Sequence, residues 1–125
     1  MPRILIADDN DELLEFQRLF LNENGYNVLT ATNGDEAVRL IRENDDIDLL
    51  VTDVLMPDKE GVETILELRS IAPDLPVIAI SGGGHVGAVD YLQLARSAGA
   101  KATLAKPCPP SVLLATIRQI LGESV

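Results

Sequence analysis

Five polar residues directly follow apolar runs of the sequence, and their types suit metal binding and phosphoryl chemistry. Asp8 and Asp9 follow ILIA, Asp53 follows LLVT, and Ser81 and Lys106 follow two later runs. Three carboxylates brought together repel one another unless a pKa rises or a hard divalent cation binds between them. Mg²⁺ fits best, because it takes oxygen ligands and usually keeps several waters that a phosphate can replace.

A carboxylate that attacks phosphorus needs partners that stabilise the negative charge spreading over three equatorial oxygens. Positioned cations and hydroxyls supply that stabilisation, and Lys106 and Ser81 are of the right types. A single aspartate after a strand is more often a helix cap than a functional group. The prediction therefore depends on all five residues reaching one place.

Five short apolar runs form the elements that must position these residues. They are ILIA (4–7), VLTA (28–31), LLVT (49–52), PVIAI (76–80) and ATLA (102–105). Each run is apolar almost throughout and is followed by turn-forming residues, which is typical of strands buried on both faces.

Stretches with helical spacing separate the runs. The residues that mark them are Leu13, Phe16 and Phe20; Ala37, Leu40 and Ile41; Val62, Ile65 and Leu66; Tyr91, Leu92 and Ala95; and Leu113, Ile117, Ile120 and Leu121. Gly25 and Gly99 are suited to end the first and fourth helices, and Pro110 to begin the fifth.

Strictly alternating strands and helices predict one α/β domain over residues 1–125, with a parallel sheet and right-handed crossovers. The expected fold is a doubly wound (βα)₅ three-layer sandwich in the flavodoxin-like strand order 2-1-3-4-5. In such sheets a ligand binds beyond the carboxyl ends of the strands, where the winding reverses. Strands 1 and 3 flank that crevice.

Composition excludes several classes of partner. Apolar residues make up 46% of the chain, with only two tyrosines, two phenylalanines and no tryptophan, so the core must be aliphatic. The formal charge of −10 argues against direct binding to nucleic acid or to an acidic membrane surface. Cys108 is the single cysteine and cannot form an internal disulfide, and no apolar run is long enough for a signal peptide or membrane span. These features favour the cytoplasm.

The segments ILIADDN, DLLVTDVLMPDKEG, PVIAISG and AGAKATLAKP occur in an order and spacing that resemble one known family. The chain is similar to the CheY-like receiver domains of two-component response regulators, and the likeness runs from about Arg3 to Leu121. The resemblance implies that a histidine kinase or a phosphotransfer protein passes a phosphoryl group to Asp53. A downstream output protein or domain would then read the modified state.

The same resemblance implies a Mg²⁺ site. Asp9, Asp53 and the backbone carbonyl of Leu55 would bind the ion directly. Asp8 would assist through a water on the metal.

Three further residues are implied to act on the phosphoryl group. Lys106 would pair with its oxygens, and Ser81 would move to hydrogen-bond it. Gly82 occupies the position where the family has a small residue for access. The resemblance and the sharp turn of the chain also predict a cis peptide bond between Lys106 and Pro107.

The sequence departs from the family at the positions that report activation. Thr103 stands where the family usually has a switch aromatic, and Cys108 replaces another frequent aromatic. The segment between Ser81 and Gly99 is longer than usual and contains three consecutive glycines. We therefore expect the glycine-rich loop to carry the conformational signal, and the protein to be a monomer or a weak dimer.

Two other functions are compatible with parts of the pattern. In a haloacid-dehalogenase-like phosphatase, Asp9 rather than Asp53 would be the nucleophile, but the chain is short for the cap of that class. A pseudo-receiver would bind partners without phosphorylation, against which the intact acidic residues and Lys106 argue. The favoured function is a signalling domain that is not an enzyme beyond catalysing its own phosphorylation and autodephosphorylation.

Overall fold

The computed structural model describes residues 2–53, 60–82 and 95–122, and strands and helices alternate along them. The elements are β1 (Arg3–Ala7), α1 (Asp11–Glu23), β2 (Asn27–Ala31), α2 (Gly34–Glu43), β3 (Leu49–Asp53), α3 (Glu60–Ile71), β4 (Val77–Gly82), α4 (helical residues 95–98), β5 (Ala102–Lys106) and α5 (Pro110–Leu121). The five predicted strands are confirmed to within two residues at each end.

The strands form one parallel sheet in the order β2-β1-β3-β4-β5, as predicted. Leu5 of β1 is aligned with Leu29 of β2 and with Leu50 of β3. Asp53 is aligned with Ile80, and Gly82 with Lys106. This register brings the carboxyl ends of β1, β3, β4 and β5 to one edge.

An aliphatic cluster covers each face of the sheet, because side chains of a strand point alternately to opposite sides. Leu50 and Ala79 pack with residues of α2, α3 and α4 on one face. Leu49, Ile78 and Ile80 pack with α1 and α5 on the other. The predicted aliphatic core is thus divided into two layers by the sheet, and β1 and β3 are buried on both sides.

Two residues that marked helical faces in the sequence are not core residues. Phe16 of α1 is 52% exposed and Leu66 of α3 is 55% exposed. The buried face of α1 carries Leu14 and Leu21 instead. The other predictions for these two helices include Ile65, which is buried, and Phe20, which packs against the core. The prediction was therefore wrong only for Phe16 and Leu66, which lie on the outer side of helices whose apolar residues occupy more than one side.

The helix boundaries follow local signals in the sequence. α5 begins at Pro110, as predicted. Gly25 and Gly99 have φ angles of +95° and +122°, in the left-handed region that favours glycine after a helix. The Lys106–Pro107 peptide bond is cis, also as predicted.

Several sequence predictions lie outside the described residues. These are the role of the Leu55 carbonyl, the helical residues Tyr91 and Leu92, and the loop that follows Gly82. Among the helices that the structure does describe, none combines the length and apolar character needed to cross a membrane.

Candidate functional site

The polar residues predicted at the strand ends meet at one edge of the sheet. Asp8 follows β1 directly, Asp53 is the last residue of β3, and Lys106 is the last of β5. Ser81 and Gly82 end β4, which lies between β3 and β5. β1 and β3 are buried and have neighbouring strands on both sides, so they hold Asp8 and Asp53 with little freedom, whereas β5 is only partly buried.

Three carboxylates form the centre of the site. One oxygen from each of Asp8, Asp9 and Asp53 can be chosen so that all lie within 4.8 Å of one another. Asp8 and Asp53 are only 4% and 6% exposed, whereas Asp9 is open to solvent. Carboxylates this close repel one another, and the burial of Asp8 and Asp53 strengthens the repulsion, so the arrangement attracts a cation.

Lys106 supplies a positive charge between two of the carboxylates. Its Nζ donates to Asp8 Oδ2 and to Asp53 Oδ2, at 3.0 Å in each case. Partial burial favours the neutral amine, but these hydrogen bonds and the attraction of both charges outweigh burial and raise the pKa of Lys106. The side chain is therefore an ammonium ion at neutral pH, and it connects β5 to β1 and β3.

Asn10 fixes the orientation of Asp8 and was not among the predicted site residues. Its backbone N–H donates to Asp8 Oδ1 at 2.9 Å, so each oxygen of Asp8 accepts a hydrogen bond. The Asn10 side chain in turn caps α1 by accepting from the Leu13 N–H at 3.1 Å. An asparagine just before a helical stretch is a recognisable N-cap signal, and it could have indicated this residue.

Ser81 lies inside the protein, one residue before the end of β4. The residue is 0% exposed, and its Oγ has no hydrogen-bond partner among the described residues. A buried hydroxyl without a partner is uncommon in a folded protein. Ser81 directly follows Ile80, which is aligned with Asp53, so it lies at the same end of the sheet as the carboxylates.

Thr103 and Cys108, the two departures from the expected pattern, have specific surroundings. Thr103 Oγ1 accepts a hydrogen bond from Arg96 at 3.0 Å. Cys108 is half-buried beside a groove of about 450 Å³ that Leu13 and Gln17 of α1 also line. Burial raises the pKa of the Cys108 thiol, which opposes a role as a nucleophile.

The fold and the site together define a doubly wound α/β protein with an acidic, lysine-bridged centre beyond the carboxyl ends of its strands. In sequence, residues 4–118 match the family model of the response regulator receiver domain. The chain belongs to this family, and is therefore the receiver domain of a two-component response regulator.

Related proteins agree with this assignment. The transcriptional regulatory protein CpxR of Klebsiella pneumoniae is 37% identical over 124 residues, which are 99% of this chain and 51% of that protein. A receiver domain from Clostridium thermocellum superimposes with a TM-score of 0.89 at 32% identity, covering 98% of this chain and 95% of that one.

The beryllofluoride-activated NtrC4 receiver domain dimer gives a TM-score of 0.83 at 35% identity, with 95% of each chain covered. This chain spans about half the length of the CpxR proteins that it matches.

Proposed function

We propose that the carboxylate of Asp53 accepts a phosphoryl group from the phosphohistidine of a histidine kinase or phosphotransfer protein. The observation that supports this most directly is the Lys106 ammonium, which lies 3.0 Å from both Asp53 and Asp8. A cation in that position partly neutralises the carboxylate cluster. It can also pair with the negative charge that develops on the phosphoryl oxygens during transfer. No equivalent cation is needed for a site that only caps helices.

The reaction forms a bond between a carboxylate oxygen of Asp53 and phosphorus. The bond between phosphorus and the imidazole nitrogen of the donor breaks, and its electron pair stays on that nitrogen. Lys106 pairs with the equatorial oxygens as charge develops on them, and Ser81 donates its hydroxyl to one of them. Gly82, aligned with Lys106, leaves room for the incoming group.

The donor set fits Mg²⁺. The family resemblance implies that Asp9 and Asp53 bind the ion directly. The two hydrogen bonds that the oxygens of Asp8 accept agree with an indirect role for that residue. The Leu55 carbonyl completes the proposed set on the strength of the family resemblance. Bound Mg²⁺ would supply further neutralisation of the anionic oxygens.

The proposed output is a conformational signal to a partner protein or domain rather than turnover of a substrate, so the domain catalyses only its own phosphorylation and dephosphorylation. CpxR is a transcriptional regulatory protein about twice as long as this chain, and an output domain of that kind is one such partner. We place the process in the cytoplasm, as the sequence favours, with the domain as a monomer or weak dimer. We propose that this domain does not bind nucleic acid directly and that any such contact is made by the partner.

Intact-mass measurement after treatment with acetyl phosphate and Mg²⁺ tests the proposal. We expect one added phosphoryl group on the wild type and none on Asp53→Asn. Asp74→Asn, which removes an exposed carboxylate away from the site, is the matched control and should be labelled as the wild type is. Labelling that persists in Asp53→Asn and disappears in Asp9→Asn would favour the phosphatase-like alternative, and no labelling of the wild type would favour a pseudo-receiver.

A further inference from the structure

A cleft lies at the amino-terminal edge of the sheet, which is the edge opposite the carboxylates of the candidate functional site. It has a volume of about 540 Å³ and is lined by residues of two segments, 41–48 and 71–76. The first segment joins α2 to β3 and the second joins α3 to β4. The Leu50 N–H donates to the Pro76 carbonyl at 3.0 Å, which holds the two segments together where the strands begin. We call this cavity the α2–α3 cleft.

The floor of the α2–α3 cleft is apolar and belongs to the core. Ile41 and Ile47 are 7% and 9% exposed, and Ile71, Ala72 and Leu75 pack against the same core cluster. A ring or an alkyl chain that covered this floor would be removed from water together with it, which is favourable. The volume lies within the range of small-molecule sites in proteins, roughly 300–1,000 Å³.

Carboxylates outnumber cations among the residues that line the cleft. Asp45, Asp48 and Asp74 line it together with one basic residue, Arg42, which lies 3.9 Å from a glutamate of α3. Asp45 and Asp74 are exposed, and neither has a basic group within 4.0 Å in the part of the chain that the structure describes. The opening of the cleft is therefore negatively charged.

Two helix ends add to the negative potential of the cleft. α2 ends at Glu43 and α3 at Ile71, and residues that follow each helix line the cleft. The C-terminal end of a helix carries a partial negative charge, because its last carbonyls have no partner within the helix. Aspartates stabilise helices at the N-terminal end, not at this one. Helix capping therefore does not account for Asp45 and Asp74.

We propose that the α2–α3 cleft binds a small organic cation, in which an ammonium or amidinium group is attached to an apolar ring or alkyl body. The apolar body would cover the floor, and the cation would pair with Asp45 and Asp74 at the opening. A metal ion fits poorly, because the group of three acidic residues that is close enough to share one, among those described, is the cluster of the candidate functional site.

Protein partners match the cleft less well than a small molecule does. A second copy placed there by a two-fold axis would bring the same carboxylates together. A folded partner would need an interface far larger than the two segments that line the cleft. The inference does not depend on phosphorylation of Asp53, because the cleft and the phosphorylation site lie at opposite edges of the sheet.

An NMR titration of the full ¹⁵N-labelled chain with tryptamine tests the proposal, since this probe combines an ammonium group with an apolar ring system. We expect the largest amide shifts in residues 41–48 and 71–76. Tryptophol, which has a hydroxyl in place of the ammonium, should bind about fivefold to tenfold more weakly, as expected for the loss of two exposed ion pairs. Methylamine, which has the charge without the ring, should bind more weakly than tryptamine as well.

Two double variants test whether the aspartates of the cleft recognise the cation. Asp45→Asn with Asp74→Asn should weaken tryptamine binding about fivefold to tenfold and leave tryptophol binding unchanged. Glu23→Gln with Glu63→Gln removes the same charge from exposed helix positions outside the cleft, and should weaken tryptamine binding less than about twofold. Urea unfolding curves should show that both proteins remain folded.

Four outcomes would overturn the inference. The first is an equal loss of tryptamine affinity in the two double variants, which would indicate a general charge effect. The second is a set of shifts centred away from residues 41–48 and 71–76. The third is binding of tryptophol or indoleacetate as tight as that of tryptamine. The fourth is a lysine-rich peptide that shifts the same amides when tryptamine does not, which would make the ligand a protein segment.

Discussion

Replacing Lys106 by methionine removes the positive charge that joins Asp8 to Asp53 while keeping a side chain of similar length. Both carboxylates are almost fully buried, and both lose a hydrogen bond of 3.0 Å. Breaking a buried pair on one side costs about 3–5 kcal/mol, because the partner charge is left uncompensated. The Lys106 side chain is 27% exposed, so water screens part of the interaction and we expect about 3 kcal/mol, the lower end of that range.

Urea unfolding without divalent cations measures this loss. With a denaturant dependence of about 1–3 kcal/mol per molar, the midpoint should fall by about 1 M or more. Lys101→Met is the matched control, since Lys101 is exposed and has no carboxylate partner in the described part of the chain. It should change the free energy of unfolding by less than about 0.5 kcal/mol.

The effect of Mg²⁺ on the stability of Lys106→Met provides a second test. If the ion occupies the carboxylate cluster, it should bind Lys106→Met more tightly than the wild type, because it no longer competes with the ammonium group. At about one hundred times its dissociation constant it adds about 2.7 kcal/mol, which would restore most of the loss. Equal stability of the Lys106 and Lys101 variants, or no recovery with Mg²⁺, would refute this account of the site.

Three further predictions concern other parts of the molecule. Alkylation of Cys108 by iodoacetamide should reach half of its maximal rate at a higher pH in the folded protein than in urea, because burial raises the pKa of the thiol; coincident profiles would contradict this. Ile117→Ala should lower the free energy of unfolding by about 2–5 kcal/mol, since the side chain is fully buried, and the exposed Leu19→Ala should cost less than about 1 kcal/mol. Beryllofluoride with Mg²⁺ should leave the protein monomeric in sedimentation, with the largest amide shifts in residues 81–89, because Thr103 cannot reorganise its surface as a large ring could; a stable dimer with the largest shifts in β5 and α5 would contradict this.

The fold could be predicted from the sequence because its strands are continuous apolar runs at regular intervals. LLVT and ILIA are apolar throughout or nearly so, and in a chain where such runs alternate with helical stretches they are typical of buried strands. The parallel direction of the strands then follows from the helices that connect them. Helix orientation was less certain. Phe16 and Leu66 show that apolar spacing does not say which of two adjacent stripes faces the sheet.

The candidate site was predictable to the level of the strand ends but not to the level of atoms. The topology alone brings Asp8, Asp53 and Lys106 to one edge. That Lys106 donates to both carboxylates, and that Asn10 holds the other oxygen of Asp8, depends on side-chain rotamers that no spacing encodes. Arg96 on Thr103 is a pair of the same kind.

The position of each site residue in the sheet has a consequence for hydrogen exchange. Asp8 and Asp53 are attached to β1 and β3, which have neighbours on both edges and apolar layers on both faces, whereas Lys106 ends β5, which pairs with β4 alone. Amide hydrogens of β1 and β3 should exchange only through global unfolding. Those of β5 should also exchange through smaller, local openings. An opening confined to β5 would withdraw the ammonium group while the carboxylates stayed in place. Opening of β5 alone would therefore leave the carboxylates of Asp8 and Asp53 without their ammonium partner. The net charge of the site can change in this way while the rest of the domain stays folded.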